Sequence, residues 1–275
     1  MAKLADKRVL ITGGAKGIGA AAAAGMLGEG ARVMIADVDI EEATKLAASL
    51  GEGAAACTLD VRDADAWEAG VEATVERFGG LDVLVNNAGF GGGHIETLET
   101  MEPDLIRQIV DVNLIGTIFG HRAAAPAIRA AGGGSIINVS STTGALTMNG
   151  FAVYAATKAA INSLTKTAAL ELGPDIRVNA VLPGSVHTDM SNLMGMDYET
   201  FSSTLGGMPL KRAARAEEIA APIIFFASEE GRHCTGAELL IDAGQATGIY
   251  FQMLPGHPDT PFHKLTKAGP DKFKD

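Results

Sequence analysis

The chain is poor in cysteine, in aromatic residues and in positive charge. Only two cysteines occur in 275 residues, Cys57 and Cys234, far apart and without metal-type spacing. That excludes a disulfide framework and favours reduced thiols in a cytoplasmic protein. Lys and Arg total 22 against 33 Asp and Glu, giving a net charge of −11. A surface of that sign argues against nucleic acid or an anionic membrane as partner. No run of about 18 uncharged apolar residues occurs, so no membrane span is expected. The first eight residues carry charges but no apolar signal core behind them, so no secretory signal is expected. His94, His121, His187 and His233 lack ligand spacing, so they read as surface or pocket residues and no metal is expected.

Hydrophobic residues make up 47% of the chain and charged residues 20%, enough for a large buried core. Short apolar runs recur at Arg8–Thr12, Ala31–Asp37, Ala54–Asp60, Leu81–Asn86, Ser135–Ser140, Ile176–Leu182 and Glu238–Asp242. Most are continuous rather than alternating, as strands of a parallel sheet covered on both faces must be. Segments of helical length separate them, including Ile18–Gly28, Ile40–Leu50 and Ala64–Phe78. This alternation predicts an α/β fold with a doubly wound, seven-stranded parallel sheet of Rossmann type, in one domain spanning residues 1–245. A 246–275 extension follows, carrying Tyr250, Phe251, Met253 and Phe262 among prolines; these residues are expected to cover the protein's own pocket or to reach a neighbouring subunit.

Directly after the first strand comes Thr12-Gly13-Gly14-Ala15-Lys16-Gly17-Ile18-Gly19. Glycines permit a tight turn and close backbone approach, and the helix that follows offers free N–H groups to a pyrophosphate. The Lys-Ser/Thr ending of a mononucleotide phosphate loop is absent. Asp37 ends the second strand about 20 residues further on, where an acid accepts hydrogen bonds from the adenosine ribose. Asp60 closes the third strand, with Val61 next to it, and Asn87-Ala88-Gly89 follows the fourth; carboxyl ends of strands are where open α/β sheets bind ligands. Tyr154 and Lys158 are four apart and share one face of a helix. An ammonium beside a phenol favours the phenolate, so this pair is expected to draw the Tyr154 pKa down toward neutrality for acid–base work.

Together these pieces resemble the short-chain dehydrogenase/reductase family: TGGAKGIG at Thr12–Gly19, NNAG at Asn86–Gly89, Asn113, Ser140-Ser141, Tyr154-x-x-x-Lys158 and Pro183-Gly184, in order over residues 5 to about 245. The resemblance implies catalysis by Asn113, Ser141, Tyr154 and Lys158. Ser141 would orient the substrate oxygen, Lys158 would also bind the nicotinamide ribose, and Asn113 would help hold a water of the proton relay. NAD is the implied cofactor, held by Gly13, Lys16, Gly17, Ile18, Gly19, Asp37, Asp60, Val61, Asn87, Ala88, Gly89, Tyr154, Lys158, Pro183, Gly184, Val186 and Thr188. Asp37 is expected to outweigh Lys16 and to favour NAD over NADP. Residues 184–210 match the family's variable substrate lid, rich in methionine, which adapts to irregular apolar shapes. Together with Ser141, the residues Leu146, Met148, Phe151, Met190 and Met194 are expected to meet the substrate. His187 stands beside the lid entrance and reads as structural rather than substrate-binding.

The expected activity is the NAD-dependent interconversion of a secondary alcohol and a ketone on an apolar substrate resembling a hydroxysteroid, cyclic alcohol or terpenoid alcohol. A homotetramer built through the helix that includes Tyr154–Leu172 is implied by resemblance. One alternative is an NADPH-dependent 3-oxoacyl-[acyl-carrier-protein] reductase, which shares the motifs but is expected to carry a basic patch. Another, from a different class, is a dinucleotide-sensing protein without chemistry, which typically loses the tyrosine or lysine retained here.

Overall fold

The computed structural model describes residues 2–93 and 95–248. His94 and the tail residues Tyr250, Phe251, Met253 and Phe262 lie outside the described residues. Seven strands, β1 (Arg8–Thr12), β2 (Arg32–Asp37), β3 (Ala54–Thr58), β4 (Val83–Asn86), β5 (Gly134–Val139), β6 (Ile176–Pro183) and β7 (Glu238–Ile241), form a single sheet. Their order is β3-β2-β1-β4-β5-β6-β7 and every pairing is parallel. The continuous apolar runs are explained by this arrangement: Val9, Leu10, Ile11, Val33 and Ile35 have helices above and below and are fully buried.

Helices α1 (Gly17–Gly28), α2 (Ile40–Leu50), α3 (Ala64–Phe78), α4 (Pro103–Val110), α5 (Gly116–Ala130), α6 (Ala152–Leu172), α7 (Tyr198–Thr204) and α8 (Ala216–Ala227) complete the described part of the chain. On one face α1 packs against α8, close enough that a Cβ at Gly25 would stand 2.9 Å from Ile224. The other face centres on Trp67, which is buried and donates its indole N–H to the Val61 carbonyl at 3.0 Å. Chain order reverses between β1 and β4, so their carboxyl ends diverge and leave a crevice there.

Three strands stop earlier than their sequence runs. β3 ends at Thr58 rather than Asp60, β5 at Val139 rather than Ser140 and β7 at Ile241 rather than Asp242. The chain turns there: the Asp60 carbonyl accepts the Asp63 N–H, and the Asp242 carboxylate accepts the N–H groups of Gly244 and Ala246. Polar residues at strand ends thus close the connections that shape the crevice. The chain between α4 and α5 departs from α geometry as one π-turn, Asp111–Ile115, with Asn113 at its centre.

His121 corrects its reading as a surface or pocket residue. It is buried on α5, its Nδ1 is 2.9 Å from the Thr117 carbonyl, and desolvation lowers its pKa. The reason is its neighbourhood, where Asn138, Thr165 and Asn86 form a hydrogen-bonded polar group inside the core.

Candidate active site

The glycine turn is held from behind. The Asn87 side chain donates to the carbonyls of Thr12 (3.0 Å) and Gly13 (2.9 Å), while Thr12 Oγ1 accepts the N–H groups of Asn87 and Ala88 at 3.2 Å each. Gly13 and Gly17 adopt positive φ, +60° and +54°. A Cβ at Gly13 would stand 2.9 Å from the Ala88 backbone, and one at Gly19 would stand 2.2 Å from the Gly13 carbonyl. No side chain caps the N-terminus of α1. The turn therefore presents uncapped N–H groups where Gly13 and Gly17 carry no side chain, which fits a pyrophosphate.

Above this turn lies a cavity of about 260 Å³. Gly13, Lys16, Gly17, Ile18, Asn87, Ala88, Gly89, Tyr154, Lys158, Pro183, Gly184, Val186 and Thr188 line it. Gly19, Asp37, Asp60 and Val61 do not. Gly19 is packed beneath the turn. The Asp37 carboxylate accepts the N–H groups of Ala15 and Asp39, each at 3.0 Å, at the far end of the turn. Asp60 is bound by Arg62 at 2.5 Å, and Val61 is buried against Trp67 and Gly116. Lys16 is ion-paired with Asp39 at 3.0 Å rather than free.

Tyr154 and Lys158 project from α6 into the same cavity. The Lys158 ammonium is buried, donates to the Val139 carbonyl at 2.9 Å and lies 5.5 Å from the Tyr154 ring centre. Desolvation pushes its pKa down to about 8. The expectation that lysine draws the phenol toward neutrality is corrected for the protein by itself. Burial raises the Tyr154 pKa above its usual value, and a hydrogen bond from Ser141 offsets this only in part. Buried Lys158 and half-buried Tyr154 each lose solvation, and the ammonium donates to a backbone carbonyl.

Ser141 and Ser140 separate cleanly in role. The Ser140 hydroxyl donates to the Lys158 carbonyl at 3.0 Å and is spent on fixing β5 to α6, whereas Ser141 lines the cavity beside Tyr154. The Asn113 side chain makes three hydrogen bonds. It accepts the Phe90 N–H at 2.7 Å and donates to the Phe90 carbonyl at 3.0 Å and to Thr157 at 3.2 Å. It therefore straps the loop after β4 to α6. The π-turn aims its side chain across that gap.

A second, larger cavity of about 540 Å³ shares Ser141, Tyr154, Pro183 and Gly184 with the first. Leu146, Met148, Phe151 and Met190 line it, together with Phe90, Ile95, Leu193, Phe201 and Leu205. Met194 does not: its side chain is 82% exposed on the outside of the lid. The lid folds around His187, whose Nε2 is 2.9 Å from the Met196 carbonyl and whose ring meets Tyr198 and Phe201 edge-on or tilted. His187 thus pins the lid and is absent from the described cavity lining. Phe201 and Met208 are buried and tie the lid to the body.

Several contributors escaped the sequence reading. Thr12 and the Val139 carbonyl act through backbone geometry, which residue type does not signal. Phe90 and Asp189 line the large cavity although they sit outside the apolar patterns that marked its walls. Among the described residues, no group of three or more His, Cys, Asp or Glu is placed to hold a metal.

Comparison with known proteins agrees with this geometry. Residues 13–246 match the family model described as enoyl-(acyl carrier protein) reductase. The chain is 43% identical to trans-4-hydroxycyclohexanecarboxylate dehydrogenase of Sinomonas cyclohexanicum, over 90% of this chain and 95% of that one. It is 41% identical to 3-alpha-(or 20-beta)-hydroxysteroid dehydrogenase of Mycobacterium bovis, over 90% and 92%. A crystal structure of 3-ketoacyl-(acyl-carrier-protein) reductase from Brucella melitensis complexed with NADH superposes with a TM-score of 0.81 at 33% identity, covering 88% and 99%. The chain belongs to the short-chain dehydrogenase/reductase family. It is an oxidoreductase acting on alcohols with a nicotinamide cofactor.

Proposed function

We propose that the protein is an NAD-dependent dehydrogenase that interconverts a secondary alcohol and a ketone on an apolar ring substrate of steroid-like or terpenoid character. The observation that carries this reading is the cavity of about 540 Å³ opening on Ser141 and Tyr154. Its size lies within the range of about 300–1,000 Å³ typical of small-ligand sites. Asp189 is the charged group among its described lining residues, and neither Lys nor Arg is found there. Ring-bearing substrates in the names of two relatives point the same way.

In this reading a nicotinamide held in the first cavity would supply the hydride acceptor for alcohol oxidation and the hydride donor for ketone reduction. Tyr154 takes the alcohol proton as phenolate in one direction and supplies it as phenol in the other. Ser141 donates a hydrogen bond to the substrate oxygen as charge develops there. Lys158 would hold the ribose of the cofactor. Asn113, with its side chain spent on Phe90, contributes by fixing the loop that borders both cavities.

NAD is favoured over NADP because Asp37 and Asp39 together line the far end of the glycine turn and Lys16 is already paired with Asp39. A carrier-linked 3-oxoacyl substrate is disfavoured by the net charge of −11, since such carriers are acidic. We further propose a homotetramer in the cytoplasm.

The deciding experiment is a panel of steroids, cyclic alcohols, terpenols and hydroxy acids, assayed for reduction of NAD and of NADP. Ring alcohols should give the highest kcat/KM, with NAD. Tyr154→Phe should lose about 10²–10⁴-fold in kcat while still binding NAD. Retention of more than about a tenth of kcat by that variant, or best turnover on carrier-linked substrates, overturns the reading.

A further inference from the structure

Ser141 Oγ can accept two hydrogen bonds and donate one. Both acceptor sites are filled by one residue two positions on. The Thr143 N–H reaches Ser141 Oγ at 3.2 Å and the Thr143 hydroxyl reaches it at 2.9 Å. What remains is the O–H donor of Ser141, which shares the lining of both cavities with Tyr154. Thr143 is itself buried and borders the large cavity.

The segment that carries Thr143 has little freedom to move. It is a short 3₁₀ turn, Thr142–Gly144, lying against α6. A Cβ at Gly144 would stand 2.8 Å from the Lys158 backbone. Just before it, the Ser140 hydroxyl is tied to the Lys158 carbonyl. The turn that carries Thr143 is thus held against the same helix that carries Tyr154 and Lys158.

We infer that Thr143 is a positioning residue of the dehydrogenase reaction: by occupying both acceptor sites of Ser141, it commits the single serine proton to the cavity, toward Tyr154 before substrate binds and toward the substrate oxygen afterwards. Its hydroxyl keeps Ser141 from turning its O–H away from the reacting oxygen. Because hydrogen bonds in a chain polarise one another, the donation by Thr143 also strengthens that by Ser141. A stronger bond from Ser141 stabilises the Tyr154 phenolate. Thr143 itself transfers no proton.

This inference rests on the proposed role of Tyr154, so its test includes a readout that needs no turnover. Thr143→Val deletes the hydroxyl and keeps the branched shape and the N–H, while Thr143→Ser keeps the donor. The phenolate absorbance of Tyr154 is titrated in the NAD-loaded protein, with Tyr154→Phe as the subtracted blank. Thr143→Val should raise the midpoint by about half a pH unit, and Thr143→Ser should match the unmutated protein. For the alcohol that the panel selects, Thr143→Val should lower kcat roughly tenfold, the equivalent of one hydrogen bond. It should move the pH profile the same way and leave NAD affinity and Tm unchanged. An unshifted midpoint in Thr143→Val, or equal impairment of the Val and Ser variants, overturns the inference. Failure of every alcohol to react would instead overturn the functional reading, with the titration still deciding the role of Thr143.

Discussion

Lys158 carries the largest electrostatic cost in the site. Its pKa falls from 10.5 to about 8 because the ammonium is buried against a single carbonyl. That displacement corresponds to about 3 kcal/mol of opposition to folding at neutral pH. The sign follows from proton uptake. Below pH 8 the lysine is charged whether the chain is folded or not, and the penalty is complete. From about pH 8 to 10.5 the folded chain releases the proton first, so stability should rise with pH. Lys158→Met should therefore raise the Tm at pH 7 by about 2–6 °C, after allowing about 1 kcal/mol for the abandoned Val139 carbonyl. Turnover and cofactor affinity should both collapse. Calorimetry and cofactor titration check this, and a lower Tm would show that the burial cost is overestimated.

At the far end of the turn, Asp37 is the residue on which the proposed preference for NAD rests. Its carboxylate already organises the backbone at Ala15 and Asp39, and a 2′-phosphate would bring about two negative charges toward it. Two unit charges at ~4 Å interact by about 4 kcal/mol at an effective dielectric near 20. NAD should be preferred on the order of 10²-fold in kcat/KM. Asp37→Ser should shrink this preference, with Lys16 then drawn toward the phosphate. Equal kcat/KM values for the two cofactors in the unmutated protein would refute the assignment.

Between α4 and α5, the π-turn is the element whose geometry matters most. One extra residue in the turn lets Asn113 bond both backbone groups of Phe90 and still reach Thr157. Asn113→Ala leaves the Phe90 N–H and carbonyl without these partners. At about 1–3 kcal/mol for each of the two groups, the variant should lose about 2–6 kcal/mol of stability. KM should rise too, because Phe90 borders the large cavity. Denaturant unfolding and steady-state kinetics measure the two effects; an unchanged unfolding midpoint would mean that water replaces the strap without penalty. The lid shows the same dependence on local contacts. Met190 faces the cavity and Met194 faces outward because the chain turns around His187 between them and α7.

Across the whole molecule, apolar surface remains uncovered at one edge of the sheet and along α6. Leu239 and Leu240 of the edge strand β7 are partly exposed, and Leu170 on α6 is 85% exposed. An uncovered apolar edge strand invites pairing with another chain. The proposed homotetramer would bury these residues. Light scattering should return four times the 28.3 kDa chain mass, and Leu170→Glu should lower it. A monomeric mass for the unmutated protein would overturn the proposal.

What the sequence determined is the set of features that repeat or must lie close along the chain. Continuous apolar runs separated by helical segments dictate a covered parallel sheet. The glycines at 13, 17 and 19 mark backbone that admits no Cβ or requires positive φ, and the spacing of Tyr154 and Lys158 places them on one helical face. What only the tertiary structure decided depends on partners distant in sequence. Lys16 is paired with Asp39, Asn113 bonds Phe90, and buried His121 lies against Asn138. The direction of the Tyr154 shift belongs here too, since desolvation is a property of the folded surroundings and not of the residue itself.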